Sequence, residues 1–171
     1  MPTILIVAGP NGGGKTTFAN ALFAAEARGW PYLNADEIGR EELSHLPPGE
    51  QAIGAGRLLL ARLDALVASD RDFGFETTLS SGLYARRIPT WRAKGYRIKL
   101  VYVRLASVED SLARVALRVA RGGHGVPETD VRRRFVRSLE NLDRLYKPIV
   151  DAWEVWDSRD GDVRLGERSS R

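Results

Sequence analysis

A glycine-rich segment near the start of the chain has the residue types and spacing needed to bind a polyphosphate. The run Gly9-Pro10-Asn11-Gly12-Gly13-Gly14-Lys15-Thr16 matches the pattern G-x-x-x-x-G-K-[ST] at every fixed position. Glycines let backbone N–H groups turn toward a phosphate, while the lysine adds an ammonium group and the threonine adds a hydroxyl. We therefore expect Lys15 to contact the β- and γ-phosphates of ATP and Thr16 to ligate Mg²⁺.

The segments on either side of this loop favour the same interpretation. An apolar stretch, residues 3–8, predicts a buried strand, and residues 15–28 predict a helix whose positive end faces the phosphates. The alternative is a glycine-rich turn followed by a chance Lys-Thr pair, which the agreement of motif and context disfavours. We expect the nucleotide to be bound by Gly9, Pro10, Asn11, Gly12, Gly13, Gly14, Lys15, Thr16 and Thr17.

Acidic residues follow the next two predicted strands, where ligands of open α/β sheets bind. Asp36 comes after the short strand 32–34, and Glu76 and Thr78 come after the strand 73–75. A kinase needs a carboxylate to take the proton of the acceptor hydroxyl. Asp36 is the candidate base, and Glu76 and Thr78 are candidates for binding the acceptor. The alternative for Asp36 is a helix N-cap.

The strand predicted at residues 97–105 ends without the acid of a Walker B motif. Arg104 occupies that neighbourhood instead. This pattern disfavours motor ATPases and GTPase switches and favours a compact kinase.

Two arginine-bearing helices are predicted on either side of a glycine break at residues 122–125. Arg118 and Arg121 lie on one face of the first helix, and Arg134 lies near the start of the second. Such a pair of helices is what a lid closing over ATP requires, because arginine stabilises a transferring phosphoryl group. We expect a lid at about residues 114–137. The alternative is an arginine stripe on a solvated helix, and His124 is either a phosphate contact or a loop residue without a role.

The elements that must position these side chains alternate between strand and helix. Helices are predicted at residues 51–68, 83–94, 107–121 and 127–146, and later strands at 153–156 and 163–165, joined by a turn at Asp160-Gly161. The fold class is therefore α/β, a three-layer P-loop kinase fold with a mostly parallel sheet flanked by helices. We expect residues 1–171 to form a single domain, with a C-terminal tail at about 158–171 whose Arg- and Ser-rich end is frayed.

Composition limits the classes of protein. The 171 residues include no cysteine, which excludes disulfides and thiolate metal sites and fits a cytoplasmic location. No apolar run has the length of a membrane span, so no membrane partner is expected. The net charge of +4 attracts anions generally, but no nucleic-acid-reading motif is present, and nucleic acid is not the expected partner.

The ordered motifs resemble one known family. The run from Gly9 to Thr17, then Asn34-Ala35-Asp36, then Phe75-Glu76-Thr77-Thr78, then the arginine helices, is similar to the zeta-toxin family of P-loop kinases over residues 4–156. The resemblance implies phosphorylation of the 3′-hydroxyl of the sugar in a UDP-linked amino sugar, chiefly UDP-N-acetylglucosamine. It implies that Asp36 is the base, that Glu76 and Thr78 bind the sugar, and that Arg118, Arg121 and Arg134 bind ATP phosphates. It also implies an antitoxin partner.

Two departures place the chain in a compact, solitary branch of that family. Ser80 stands near the position where toxin members usually carry an arginine, and much of the usual C-terminal extension is expected to be missing. The acceptor is therefore open between a UDP-sugar and another small metabolite or nucleotide. A third hypothesis is a non-catalytic ATP-binding switch whose output is a protein contact.

Overall fold

The sheet that carries the site has six strands in the order β2-β3-β1-β4-β5-β6. The computed structural model describes residues 1–123, 125–159 and 161–169. All neighbouring strands are parallel except β5 and β6, which pair antiparallel. The carboxyl ends of the five parallel strands therefore meet at one edge, and the strand that enters the glycine loop, β1, lies between β3 and β4. The α/β prediction is confirmed.

The strands are β1 (Thr3–Ala8), β2 (Tyr32–Leu33), β3 (Phe73–Thr77), β4 (Arg97–Arg104), β5 (Ala152–Arg159) and β6 (Asp162–Arg168). The helices are α1 (Lys15–Glu26), α2 (Ala35–Glu42), α3 (Pro48–Ala68), α4 (Leu83–Ala93), α5 (Val108–Ala120) and α6 (Glu128–Asn141), and a π-helical turn, Leu142–Tyr146, continues α6.

Helices cover both faces of the sheet because its central strands are apolar on both sides. Ile4 and Ile6 of β1 point into the larger core cluster, which also contains buried side chains of α3, α4 and the π-helical turn. Leu5 and Val7 point to the other face and pack against α1 through Ala19. This three-layer packing fixes β1, and with it the start of the glycine loop, between two cores.

Several predicted boundaries differ from the observed ones. β3 extends to Thr77, so Glu76 belongs to the strand itself rather than to the loop after it. Residues 35–42 form a helix, α2, that was not predicted as a separate element. Its start is set by the Asn34 side chain, which accepts a hydrogen bond from the Asp36 N–H and acts as the N-cap. The alternative that Asp36 is the helix N-cap is therefore wrong, because Asn34, two residues earlier, is the N-cap.

The second strand of the predicted C-terminal hairpin is present and is longer than the three residues, 163–165, that the sequence predicted. β6 pairs with β5 along its length, from Ser158 opposite Val163 to Glu154 opposite Arg168. Arg104, at the end of β4, donates to Asp157 on β5 and to Glu167 on β6 and so ties three strands together. The predicted turn residue Asp160 lies outside the described residues, as do His124, Ser170 and Arg171.

In the described part of the chain no helix has both the length and the apolar character needed to cross a bilayer.

Candidate active site

The glycine loop forms the floor of a cavity at the carboxyl edge of the sheet. Gly14, just before α1, has φ 81°, and Gly12 has φ 73°, values in the left-handed region that favours glycine. Gly12 also lies directly under α5, where an added Cβ would come within 3.0 Å of the Ser111 carbonyl oxygen and the Arg114 Cβ. Ser111 donates to the Asn11 carbonyl. The first turns of α5 are thus packed on the loop, and they form a wall of the site.

Lys15 is buried at the start of α1 and faces two partners. Its Nζ donates to the Pro10 carbonyl oxygen at 3.0 Å and lies 3.7 Å from Oε1 of Glu76. Burial lowers the pKa of Lys15 below its ordinary value, while the carboxylates of Glu76 and Asp36 act in the opposite direction. A buried ammonium group with an incomplete set of partners is well placed to bind an anion.

Glu76 is the centre of a polar cluster beside the loop. Its Oε2 accepts hydrogen bonds from the Thr16 hydroxyl at 2.8 Å, the Tyr32 hydroxyl at 3.0 Å and Asn34 Nδ2 at 3.1 Å. Its other oxygen faces Lys15. The structure therefore brings Glu76, on the strand next to β1, against Thr16 and Lys15, two of the residues expected to bind the nucleotide. The sequence has no Walker B acid at the end of β4, but Glu76 places a carboxylate beside the glycine loop from the end of β3.

Asp36 lies in the first turn of α2 and is exposed to the cavity. Its own backbone N–H is capped by Asn34, so its side chain is not needed to start the helix. Asp36 is also close enough to Lys15 for its charge to raise the pKa of that lysine. An exposed carboxylate near Lys15, the lysine expected to bind phosphate, is accessible to a second substrate.

Thr78 lies in a loop held by α6. Its hydroxyl is hydrogen-bonded to the Ser80 hydroxyl at 2.9 Å, and its carbonyl accepts from Ser138 at 2.6 Å. The next residue, Leu79, is fully buried with φ 55°, and its carbonyl accepts from Asn141 at 2.7 Å. A leucine in the left-handed region is strained, and it persists where surrounding contacts fix it. The loop after β3 is therefore a rigid part of the cavity.

The cavity is large enough for a nucleotide and a second substrate, with a volume of about 1630 Å³. At the end formed by β2, β3 and their neighbours it is lined by acidic, hydroxyl and apolar side chains. At the opposite end, where α5 and the β5–β6 turn meet, its charged lining is mostly arginine. The lining residues of the first end are Asn34, Ala35, Asp36, Gly56, Leu59, Glu76, Thr77, Thr78 and Tyr84, and the arginines are Arg114, Arg118, Arg121, Arg134 and Arg159.

The arginines of the predicted lid divide into two groups. Arg118, Arg121 and Arg134 line the cavity as expected, and Arg118 Nε is buried with no hydrogen-bond partner among the described residues. A buried guanidinium N–H without a partner is costly, and it indicates a place for an anionic ligand. Arg132 and Arg133 instead pair with acids on the protein surface.

Most of the expected nucleotide-binding residues reach the cavity. Asn11, Lys15, Thr16 and Thr17 line it, together with the three successive glycines of the loop. Gly9 and Pro10 are buried beneath it, and an added Cβ at Gly9 would lie 2.3 Å from the Val103 carbonyl oxygen of β4. Gly9 therefore serves the close packing of the loop against the sheet.

Sequence reasoning missed two residues of the polar cluster, Tyr32 and Asn34. Asn34 was named only as part of a motif, although the pattern of an asparagine before Asp36 and Glu37 is typical of a helix start. Tyr32 gave no signal, because its contact with Glu76 depends on the pairing of β2 with β3.

The donors present fit a magnesium ion held mainly by phosphate. Among the described residues, no three acidic, histidine or cysteine side chains are grouped closely enough to hold a metal ion by themselves. Magnesium in kinase sites is commonly held by a few protein oxygens, substrate phosphates and water. The Thr16 hydroxyl donates its proton to Glu76 and accepts a long hydrogen bond of 3.5 Å from Asn34 Nδ2, so one lone pair remains available to a cation.

Comparisons with known proteins are consistent with this architecture. An uncharacterized protein of Haemophilus influenzae is 30% identical over 127 residues, which cover 74% of this chain and 88% of that protein. The structure of the PezAT toxin–antitoxin system of Streptococcus pneumoniae is similar with a TM-score of 0.67 and 18% identity, over 95% of this chain and 71% of that chain.

A second similar structure is AvrRxo1-ORF1:-ORF2 with ATP, with a TM-score of 0.71 and 19% identity, over 98% of this chain and 58% of that chain. At these identities the two solved structures are evidence for the fold. The sequence model of the family described as Zeta toxin matches residues 1–165, nearly the whole chain. The chain therefore belongs to the zeta toxin family and has its P-loop kinase fold.

Proposed function

We propose that this chain is an ATP- and Mg²⁺-dependent kinase that transfers the γ-phosphate to a hydroxyl of a small metabolite. One observation carries the proposal: Lys15, Thr16 and Glu76 meet at the glycine loop, and the exposed carboxylate of Asp36 lies in the wall of the same cavity. A phosphate-binding loop and a free carboxylate in one cavity are the parts that phosphoryl transfer requires.

The nucleotide side of the reaction is assigned to the loop and α5. Backbone N–H groups around Gly14 and the Lys15 ammonium bind the β- and γ-phosphates. Magnesium, held by the Thr16 hydroxyl and the phosphates, neutralises negative charge on the triphosphate when it is bound. Arg118, whose buried Nε has no hydrogen-bond partner in the part of the chain that the structure describes, stabilises the charge of the transferring group.

The acceptor side is assigned to the end formed by β2 and β3. Asp36 accepts the proton of the attacking hydroxyl, which increases the nucleophilicity of that oxygen. Thr78 and Tyr84 line the same end and supply hydroxyl groups that a substrate can contact. Because the arginines that line the cavity lie mostly at its other end, nucleotide and acceptor have different electrostatic surroundings.

The first candidate for the acceptor is UDP-N-acetylglucosamine, which rests on the resemblance of the F-E-x-T segment, Phe75–Thr78, to the family motif. A second candidate is a small neutral polyol. It is favoured by the end of the cavity between Asp36 and Tyr84, whose described lining contains no arginine or lysine to bind a second diphosphate. Family membership also supports a small antitoxin protein as a partner.

A transfer assay tests the proposal. The protein is incubated with ATP, Mg²⁺ and a panel of UDP-sugars, free sugars, polyols and nucleotides, and mass spectrometry detects the mass gain of one phosphate. We expect one acceptor to gain phosphate with the wild-type protein and none with Lys15→Ala. Tight ATP binding with no product across the panel would contradict the proposal and favour an ATP-binding switch module.

A further inference from the structure

We propose that Tyr32, acting together with Asn34, is a positioning residue for the metal–nucleotide site. By fixing the Glu76 carboxylate, the two side chains orient the Thr16 hydroxyl so that one of its lone pairs faces the bound metal. This inference rests on the proposed binding of a metal–triphosphate complex at Thr16, and it adds two residues that do not belong to the phosphate loop.

The requirement comes from the chemistry of the Thr16 hydroxyl. A hydroxyl that ligates a cation uses an oxygen lone pair, so its proton needs an acceptor elsewhere. Glu76 Oε2, at 2.8 Å, is that acceptor. If the carboxylate rotated away, the hydroxyl proton would be free to point toward the cation. The orientation of Glu76 therefore determines how well Thr16 binds a metal.

Tyr32 holds this carboxylate from the neighbouring strand. Its hydroxyl donates to the same oxygen, Oε2, at 3.0 Å, and its ring packs on Phe23 of α1 with ring centroids 4.7 Å apart. Burial and the nearby Glu76 carboxylate raise the pKa of Tyr32 well above its usual value. The hydroxyl therefore stays protonated and remains a donor at all physiological pH values.

Asn34 supplies the second fixed donor. Its Oδ1 accepts the Asp36 N–H at 2.8 Å, which leaves Nδ2 to donate to Glu76 at 3.1 Å and, at a longer 3.5 Å, to Thr16 Oγ1. One amide thus caps α2 and anchors the carboxylate. Two uncharged donors held by packing and by the helix cap restrict Oε2 more than Thr16 alone would.

The experiment measures how much Mg²⁺ tightens nucleotide binding. Calorimetry gives the affinity for the non-hydrolysable analogue AMP-PNP with Mg²⁺ and with EDTA, and the ratio of the two is the Mg²⁺ gain. We expect Tyr32→Phe to lower this gain about tenfold, the lower end of the range for one hydrogen bond to a charged acceptor, and to leave the affinity in EDTA unchanged. Asn34→Ser, which keeps a cap for Asp36 but loses the Nδ2 donor, should lower the gain in the same way.

Tyr96→Phe is the matched control. The Tyr96 hydroxyl lies outside the cavity lining, and it donates to the Leu66 and Arg71 carbonyls. This variant loses a tyrosine hydroxyl and part of its stability, and it should keep the full Mg²⁺ gain. Thermal unfolding of each variant shows whether it is folded. If Tyr32→Phe does not fold, the Mg²⁺ gain of Asn34→Ser tests the inference.

The outcomes separate this inference from the proposed function. A wild-type protein that shows no Mg²⁺ gain would overturn the proposed function, and the inference would fall with it. A normal gain in the wild type that both variants retain would overturn the inference alone. A loss of affinity in EDTA equal to the loss in Mg²⁺ would also overturn it, because it would indicate general damage to the nucleotide site.

Discussion

Thr16 and Glu76 are sixty residues apart in the sequence and are joined by a hydrogen bond of 2.8 Å in the folded chain. The bond connects the helix that follows β1 to the end of β3, the neighbouring strand. It places a carboxylate next to the hydroxyl expected to bind magnesium and, on its other side, 3.7 Å from the Lys15 ammonium. Glu76 thereby has a position from which it can act on both the metal and the lysine.

We predict that Glu76→Gln raises the concentration of magnesium that phosphate transfer requires. The amide keeps the shape of the side chain but loses the charge that accepts the Thr16 proton and faces Lys15. Replacing such a partner of a metal ligand commonly costs about 10–100-fold in metal affinity or activity. A magnesium titration of phosphate transfer measures the effect. Glu41→Gln, an exposed change on α2, should titrate as the wild type does. If Glu76→Gln required the same magnesium concentration as the wild type, Glu76 would have no role in magnesium binding.

Asp36→Asn should abolish transfer without affecting nucleotide binding. The amide cannot accept the acceptor's proton, so turnover should fall by about a hundredfold or more, while the affinity for ATP stays within about twofold. Single-turnover transfer and calorimetry measure the two quantities. Glu37→Gln is the control, because Glu37 also lies in the first turn of α2 and its loss has a similar effect on the helix dipole. This variant should keep normal transfer. Normal transfer by Asp36→Asn would rule Asp36 out as the base.

The phosphate loop could be predicted from sequence because its chemistry is local. Backbone N–H groups, Lys15 and Thr16 come from consecutive residues between one strand and one helix, and the α/β alternation is equally visible in the chain. The role of Glu76 beside Thr16 could not be predicted in the same way. It depends on the strand order, which places β3 next to β1, whereas the sequence drew attention to the end of β4.

Two other features could not be predicted fully from the sequence: the long-range polar contacts of the site and the extent of the edge strand β6. Tyr32 is a residue typical of strands, and only the pairing of β2 with β3 gives it a partner in Glu76. The sequence predicted only residues 163–165 of β6, because the rest of the strand, Asp162–Arg168, is exposed and largely charged and lacks apolar alternation. Backbone pairing with β5 and the ion pair from Arg104 to Glu167 hold it in place.

Ser138→Ala should destabilise the loop after β3. Ser138 is fully buried, donates to the Thr78 carbonyl at 2.6 Å and is hydrogen-bonded to the Tyr102 hydroxyl at 2.7 Å. Removing it leaves two buried groups without a partner, and we expect a loss of about 2 kcal/mol in the free energy of unfolding. Urea unfolding measures this loss. Ser69→Ala, an exposed position, should change stability little. A Ser138→Ala protein as stable as the wild type would show that α6 does not fix this loop.

The ion pairs around Arg104 predict a specific dependence of stability on pH. Hydrogen bonds from Arg104 lower the pKa values of Asp157 and Glu167 below those of ordinary carboxyl groups, and burial acts in the opposite direction. Groups with a lowered pKa in the folded state stabilise it above their unfolded pKa. That contribution is lost as the pH falls from about 5 through their folded pKa values. Removing Arg104 should therefore cost stability at neutral pH and progressively less in acid.

Arg104→Gln tests this dependence. The free energy of unfolding of the variant and the wild type is measured in urea from neutral pH to about pH 3, a range that spans the titration of ordinary carboxyl groups. We expect the difference between the two proteins to shrink as the pH falls. Arg62→Gln removes an exposed ion pair between Arg62 of α3 and Glu42 of α2 and should give a small difference at every pH. A difference for Arg104→Gln that stays constant across this range would mean that the arginine acts through packing of the β5–β6 hairpin rather than through its two carboxylates.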